Sequence, residues 1–412
     1  MDQNFMKEKK VLPLVLSMSL PMMLSMLINS LYNIIDSMFV ARVGEKALTA
    51  ISLVYPLQTL VTSISVGFGV GISAAVAFFL GMGEHKKADQ SASEGLFLSI
   101  VHGVLMSVIL TAILPSFLRL FTTDEEIYQM GITYGTWVLS FSLVISVYIA
   151  YEKIYQSLGN MIVPTLCLAA GCLTNIVLDP ILIFGIGPIP RMEVKGAAIA
   201  TVIGQIVPLV MYIVWHRKKG LGVSIHIKDM KPDPAICGRL YAVGIPSSLT
   251  LGMPSLLITL LNKIAGAFSS VYVLVLGVYF KLQTFVFMPV FGLNQGALPV
   301  MGYNYGARNR RRLMGAYRIT LTAAVVIMAL GLVLFQLLPE QMLMLFVDRT
   351  DAAAAQEMIE VGVPALRRIS YSFVFAGFCI VILSVFQALG HGFLSLGVSA
   401  MRQLGVLLPA AF

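Results

Sequence analysis

Four polar side chains, Asn29, Tyr32, Asn33 and Asp36, recur at i, i+3, i+4 and i+7 inside the apolar run Leu12 to Val40. On a helix this spacing puts all four on one face. Asp36 is the only charged residue of the run. A carboxylate at membrane depth is expensive, which marks it as functional. A second acid, Asp179, is followed by Pro180 and shares a helical face with Asn175 and Cys172; Thr201 and Gln205 share a face on the next helix. Carboxyls buried together among amides and hydroxyls suit reversible proton uptake, because desolvation and mutual repulsion favour a shared proton. Their oxygens would equally suit Na⁺. The alternative is that each aspartate only caps or hydrogen-bonds within the bundle. Glu152, the third acid inside a predicted span, lies near the inner end of its helix with Lys153 beside it, and both a structural ion pair and a pathway role stay open.

The elements that must carry these groups are membrane spans. The Leu12–Val40 run alone covers about 43 Å at 1.5 Å per residue, enough to cross a bilayer core. Hydrophobic residues make up 58% of the 412 and charged residues 12%, against about 25% in soluble domains. The class is therefore an all-α polytopic membrane protein. The net charge of +8 lies in short segments between apolar runs, which argues against nucleic acid as a partner. Cys167, Cys172, Cys237 and Cys379 show neither metal-ligand nor disulfide spacing and read as core residues. Met6 to Lys10 precede a run too long for a signal peptide, so the first helix is read as retained.

Eleven spans are predicted, at 11–40, 48–80, 92–114, 131–157, 161–185, 196–216, 239–263, 271–301, 313–338, 357–389 and 393–412. With the N-terminus inside, one set of connecting segments holds fifteen Lys and Arg, including Lys7, Lys86, Lys218 and Arg310 to Arg312. The opposite set holds seven, among them Arg42, Lys46 and Arg349. The bias predicts a cytoplasmic N-terminus in a plasma (inner) membrane.

Phe68-Gly69, Gly83 and the basic cluster at 85–87 recur as Phe291-Gly292, Gly306 and Arg308 to Arg312. Gln156-Ser157-Leu158-Gly159 recurs as Gln387-Ala388-Leu389-Gly390. Two six-helix lobes in parallel orientation follow, related by a pseudo-twofold axis along the membrane normal. They divide as 1–216 and 239–412, with a cytoplasmic linker at 217–238. The second lobe holds five spans, so a twelfth helix is expected in a longer protein.

The second half has no acid within its spans away from their ends. Lys281, Gln283, Asn294, Gln295, Arg402 and Gln403 are its intramembrane polar groups, and Gly292 to Gly296 predicts a local helix irregularity. Phe285, Phe287, Met288 and Phe291 read as core or as a drug-cavity lining. His102 reads as a satisfied core group.

Several stretches carry a family resemblance. They are the proline-bearing first helix ending in Tyr32-x3-Asp36, Gly159-Asn160 with Pro164, Asn175-x3-Asp179-Pro180, Gly196-Ala-Ala-Ile-Ala-Thr201, and Gly302-Tyr-Asn-Tyr-Gly-Ala307. The chain resembles the multidrug and toxic compound extrusion (MATE) transporters over its whole length. The resemblance implies a twelve-helix, two-lobed antiporter exporting organic, often cationic, drugs in exchange for H⁺ or Na⁺. It places a cation site at Asp36, Asn175, Asp179, Thr201 and Tyr32, with Tyr134 beside it. Pro21 matches the first-helix proline at which some members bend. Pro254 stands roughly where one branch has an acid in its second lobe, which argues against an ion site there.

The cavity or gate is expected to draw on Pro21, Asn33, Tyr134, Glu152, Gln205, Gln283 and Met288. Small-molecule drugs and the lipid bilayer are the expected partners, the chain a monomer, and the coupling ion the only cofactor-like species, with no metal beyond Na⁺ at Asp36 and Asp179. No HExxH motif, nucleophile elbow or phosphate-cradling loop argues for an enzyme. A lipid-linked precursor flippase of similar architecture is the alternative, and would be expected to line its cavity with more cations.

Overall fold

An apolar run that crosses lipid finds no water for its backbone, so the chain must satisfy its N–H and C=O groups within helices. The computed structural model describes residues 5–185, 189–220, 222–346 and 352–407, and among these there are no strands. The first part of the chain forms α1 (Phe5–Glu8), α2 (Val11–Ala41), α3 (Glu45–Met82), α4 (His85–Arg119), α5 (Glu125–Ser140), α6 (Ser142–Ser157), α7 (Ile162–Phe184) and α8 (Glu193–Lys219). The rest forms α9 (Pro234–Gly266), α10 (Ser270–Gly306), α11 (Arg310–Leu337), α12 (Pro339–Met344), α13 (Ala352–Ser370), α14 (Ser372–Ala388) and α15 (Gly392–Ala400).

Eight of the described helices are long and apolar enough to cross a membrane, and two bent pairs raise the number to ten. The bent pairs are α5 with α6, at 41°, and α13 with α14, at 44°. They correspond to the predicted spans 131–157 and 357–389. The two breaks share a local feature: the hydroxyl of Ser142 donates to the Leu139 carbonyl at 2.6 Å, and that of Ser372 to the Ile369 carbonyl at 2.8 Å. The side chain replaces the lost ladder bond. The eleventh predicted span begins as α15 and continues as a π-helix, Met401–Leu407; residues 408–412, like Arg349, lie outside the described residues.

The first helix of each half packs on the second helix of the other, α2 on α10 and α3 on α9. Glycine permits the approach. Gly292 lies against the Met23 backbone and Gly296 against Ser19, while Gly67 meets Ser248 and Gly71 meets Leu240 and Gly244. Gly81 abuts the Tyr303 carbonyl and Gly306 the Phe78 carbonyl. These approaches all fall in the part of the helices nearer the basic clusters at 7–10, 85–87 and 308–312. Between the halves, the stretch before α9 is strapped to α4: Asp89 Oδ1 accepts from Ser224 N at 2.8 Å, and Glu94 Oε2 from Asp233 N at 3.1 Å.

One expectation is corrected. The helix irregularity predicted at Gly292 to Gly296 is absent, since α10 is continuous through it. The glycines serve close helix contact instead, and Asn294 turns its amide back onto the Val290 carbonyl at 2.8 Å. Pro21 lies inside α2, whose helix runs on past it. The Pro21 carbonyl accepts from Ser25 Oγ at 3.0 Å and from Thr165 Oγ1 at 3.1 Å, which ties the proline turn to α7.

Candidate functional site

Asp179 is brought to the protein interior by close packing of α7 on α8. Gly171 rests on the Gly204 carbonyl and Pro208, and Gly196 on the backbone of Leu182 and Ile183. With no Cβ in the way, α8 presents Thr201 and Gln205 to the face of α7 that holds Asn175 and Asp179. Asp179 is 0% exposed and Asn175 2%. Both carboxylate oxygens of Asp179, both amide atoms of Asn175 and Oε1 of Gln205 are buried without a hydrogen-bond partner. Buried polar atoms are normally paired, and the donors and acceptors gathered here have the chemistry to hold a proton, a cation or water.

The helix α2 supplies the opposing side. The carboxyl of Asp36 faces that of Asp179 closely enough for the two to interact directly. Tyr32 lies within electrostatic reach of Asp36, Asp179, Tyr134 and Cys172. Tyr134, from α5, contacts Thr201 and receives a 3.4 Å hydrogen bond from Gln58 Nε2 of α3. Five helices thus converge on one polar cluster. Thr201 Oγ1 donates to the Ala197 carbonyl at 2.9 Å, which fixes its orientation. Asn33 is exposed and donates to Oδ1 of Asn29 at 2.7 Å.

A cavity of about 100 Å³ lies two helical turns nearer the basic end, lined by Met22, Met26, Asn29, Tyr148, Glu152, Lys153 and Gln295 among others. Here the ion pair between sequence neighbours is formed. Lys153 Nζ lies 3.1 Å from Glu152 Oε1, with the lysine side chain 3% exposed. The ammonium also donates to Gln156 Oε1 at 3.0 Å and to Gln295 Oε1 of α10 at 2.8 Å. Gln156 in turn donates to Glu152 at 2.8 Å. All three lysine donors are used, which is what a buried charge requires.

Gln283 and Met288 are half-buried on α10 and line neither this cavity nor the carboxylate cluster. Phe287 is core, edge-on to Phe373 at 5.5 Å between ring centroids. His102 departs from the expected satisfied group: Nε2 is 2.9 Å from the Tyr241 hydroxyl, but Nδ1 is buried without a partner. The four cysteines are free. Among the described residues no three His, Cys, Asp or Glu side chains gather as a metal site. Gln58, Gln156 and Gln295 complete these networks. Gln156 follows Glu152 by four residues on α6 itself, whereas Gln58 and Gln295 reach these networks from α3 and α10, and no local spacing announces those two.

The MatE family model matches residues 21–181 and 246–412. The chain is 23% identical over 410 residues to the multidrug export protein MepA of Staphylococcus haemolyticus, covering 99% of this chain and 88% of that one. Among solved structures it is similar to a MOP superfamily transporter from Pyrococcus furiosus, described as having a reversed binding-pocket polarity. That match has a TM-score of 0.93 at 27% identity and covers 100% of this chain and 90% of the other. An outward-facing multidrug resistance MATE family transporter matches with a TM-score of 0.92 at 27% identity, over 99% and 89% of the two chains. With the two halves of the chain each matched by the family model, this protein belongs to the MATE family.

Proposed function

We propose that the chain is a two-lobed secondary transporter, 1–216 against 239–412, that exports organic, often cationic, compounds in exchange for H⁺ or Na⁺. The relatives named for multidrug export and multidrug resistance support the cargo. The observation that carries the coupling is the facing of Asp36 and Asp179 among orphaned polar atoms. A coupling ion arriving from outside neutralises the pair, weakens its hold on a cationic compound and releases it. Loss of the ion to the inside restores the charge that attracts the next one.

The close glycine contacts near the basic clusters support an arrangement shut on the cytoplasmic side, with the N-terminus there. Rocking the lobes about that contact would expose the site to the other face. A charge entering down the membrane potential gains about 2.3 kcal/mol per 100 mV. The one lysine on the cavity is neutralised by Glu152, which fits a lipid-phosphate flippase poorly.

The test is dye efflux in everted vesicles. Asp36→Asn is expected to express normally and to lose ion-coupled efflux. Undiminished efflux by this variant would contradict the reading.

A further inference from the structure

The helix α1 is only four residues long, Phe5–Glu8, and closes with a hydrogen bond from Lys9 N to the Phe5 carbonyl at 3.0 Å. So short a helix has no stability of its own, because nucleation is unfavourable and its last carbonyls lack partners within the helix. Its order comes from what grips it. Both halves of the chain do so.

The first grip is apolar. Met6 is 0% exposed and joins a core to which both halves contribute. Its methyl group and the Phe5 ring lie against Gly159, in the turn between α6 and α7 of the first half. Gly159 has a φ of 76°, and a Cβ there would collide with both side chains. The second grip is polar and comes from the other half. Arg312, in the first turn of α11, donates through Nη2 to the Met6 carbonyl at 2.9 Å and to the Lys9 carbonyl at 2.7 Å. A guanidinium suits carbonyls at a helix C-terminus both as a donor and as a charge. Its Nε donates to Asn304 Oδ1 of α10 at 3.2 Å, and the Arg312 backbone N–H to Asn309 Oδ1 at 3.1 Å, so the guanidinium is aimed from a fixed base.

We propose that α1 is a latch that holds the cytoplasmic side shut, with Arg312 and the Gly159 turn as its two catches. One catch belongs to each half, so α1 cannot keep both once the halves part at this end. Separation there requires α1 to leave one of them, and the strength of the two grips sets how rarely that happens. The latch presupposes the rocking of the two halves and adds the element that resists it; neither Asp36 nor Asp179 is part of it.

Nitroxide pairs in the full chain, with its four cysteines replaced by alanine, report each part in lipid nanodiscs. Pairs at Glu8 and Ile162 and at Glu8 and Arg310 follow α1 against the first and second halves, and a pair at Lys86 and Arg310 follows the halves against each other; all five side chains are exposed. Arg312→Gln removes both carbonyl bonds, and Met6→Ser weakens the apolar grip while leaving Arg312 in place. Each is expected to raise the share of long 86–310 distances about tenfold, the worth of one charged hydrogen bond or one buried side chain. Arg312→Gln is expected to lengthen 8–310 and spare 8–162, and Met6→Ser to do the reverse. Unchanged 86–310 distances in both variants, while Gly81→Ala lengthens them, would overturn the latch. So would lengthening of 8–162 and 8–310 together by each variant, the mark of general loosening. Distances unmoved by all three substitutions would overturn the rocking of the halves and the latch with it. No ion gradient enters the measurement, so its outcome is separate from that of the coupling pair.

Discussion

Lys153 Nζ sits 2.8 Å from Oε1 of Gln295, so a buried ammonium on α6 is fastened to α10 of the other half of the chain. The same ammonium neutralises Glu152 at 3.1 Å. Removing the lysine alone leaves a carboxylate without its counter-charge at membrane depth, at a cost of about 3–5 kcal/mol. Lys153→Met is therefore expected to lower the thermal midpoint of the detergent-solubilised protein substantially. The double variant Glu152→Gln/Lys153→Met removes both charges and is expected to recover most of the loss. A midpoint for Lys153→Met equal to that of the unaltered protein would show that the pair contributes nothing.

The contact of Gly81 with the Tyr303 carbonyl leaves no room for a Cβ. Overpacking of this kind costs about 1–3 kcal/mol, and here the cost falls only on the arrangement in which α3 touches α10. Gly81→Ala is expected to shift the population toward the alternative arrangement, about tenfold for each 1.4 kcal/mol. Spin labels on the ends of α3 and α10 near the basic clusters would report it as a longer distance. An unchanged distance distribution would mean that the contact does not hold the halves together.

At the opposite end Lys46 lies 3.1 Å from Asp124, the N-cap of α5, and 2.6 Å from Glu126. The lysine hydrogen bond, followed by the backbone N–H of Ile127, holds the Asp124 carboxyl below the ordinary carboxylate range. A depressed folded-state value means that this clasp contributes above the unfolded pKa of about 3.9 and is lost as pH falls through the folded value. Hydrogen exchange in the first turn of α5 is expected to be constant in its protection from pH 8 to about 5 and to lose protection only in stronger acid. Lys46→Ala is expected to shrink that acid step and move it to higher pH, the Glu126 and Ile127 N–H bonds to Asp124 remaining. The pair is exposed to water, so its effect is local rather than global.

Much of this was legible from periodicity. The lone charge Asp36, on a stripe with Tyr32, and the Asn175–Asp179 spacing follow from the 3.6-residue repeat, which is why the family resemblance rested on those residues. Gly292 to Gly296 was misread because glycine in a spanning helix marks either a break or a close neighbour, and only the partner helix decides. Here the partner is Ser19 and Met23 of α2. The bends at Phe141 and Tyr371 were missed because each break is bridged by a serine hydroxyl, a residue that elsewhere sits within unbroken helix. The fastening of Lys153 to Gln295 and of Tyr134 to Gln58 depends on which helices meet across the bundle, and local spacing does not encode that.

The central claim is that Asp36 and Asp179 act together as the coupling pair, and purified protein in proteoliposomes tests it most directly. Dye transport is followed with a proton gradient and a Na⁺ gradient imposed separately, for the unaltered chain, Asp36→Asn and Asp179→Asn. The account predicts that at least one gradient drives the unaltered protein, that either substitution abolishes the driven component, and that the double variant is no worse than either single one. Gradient-driven transport that persists in both single variants would contradict it.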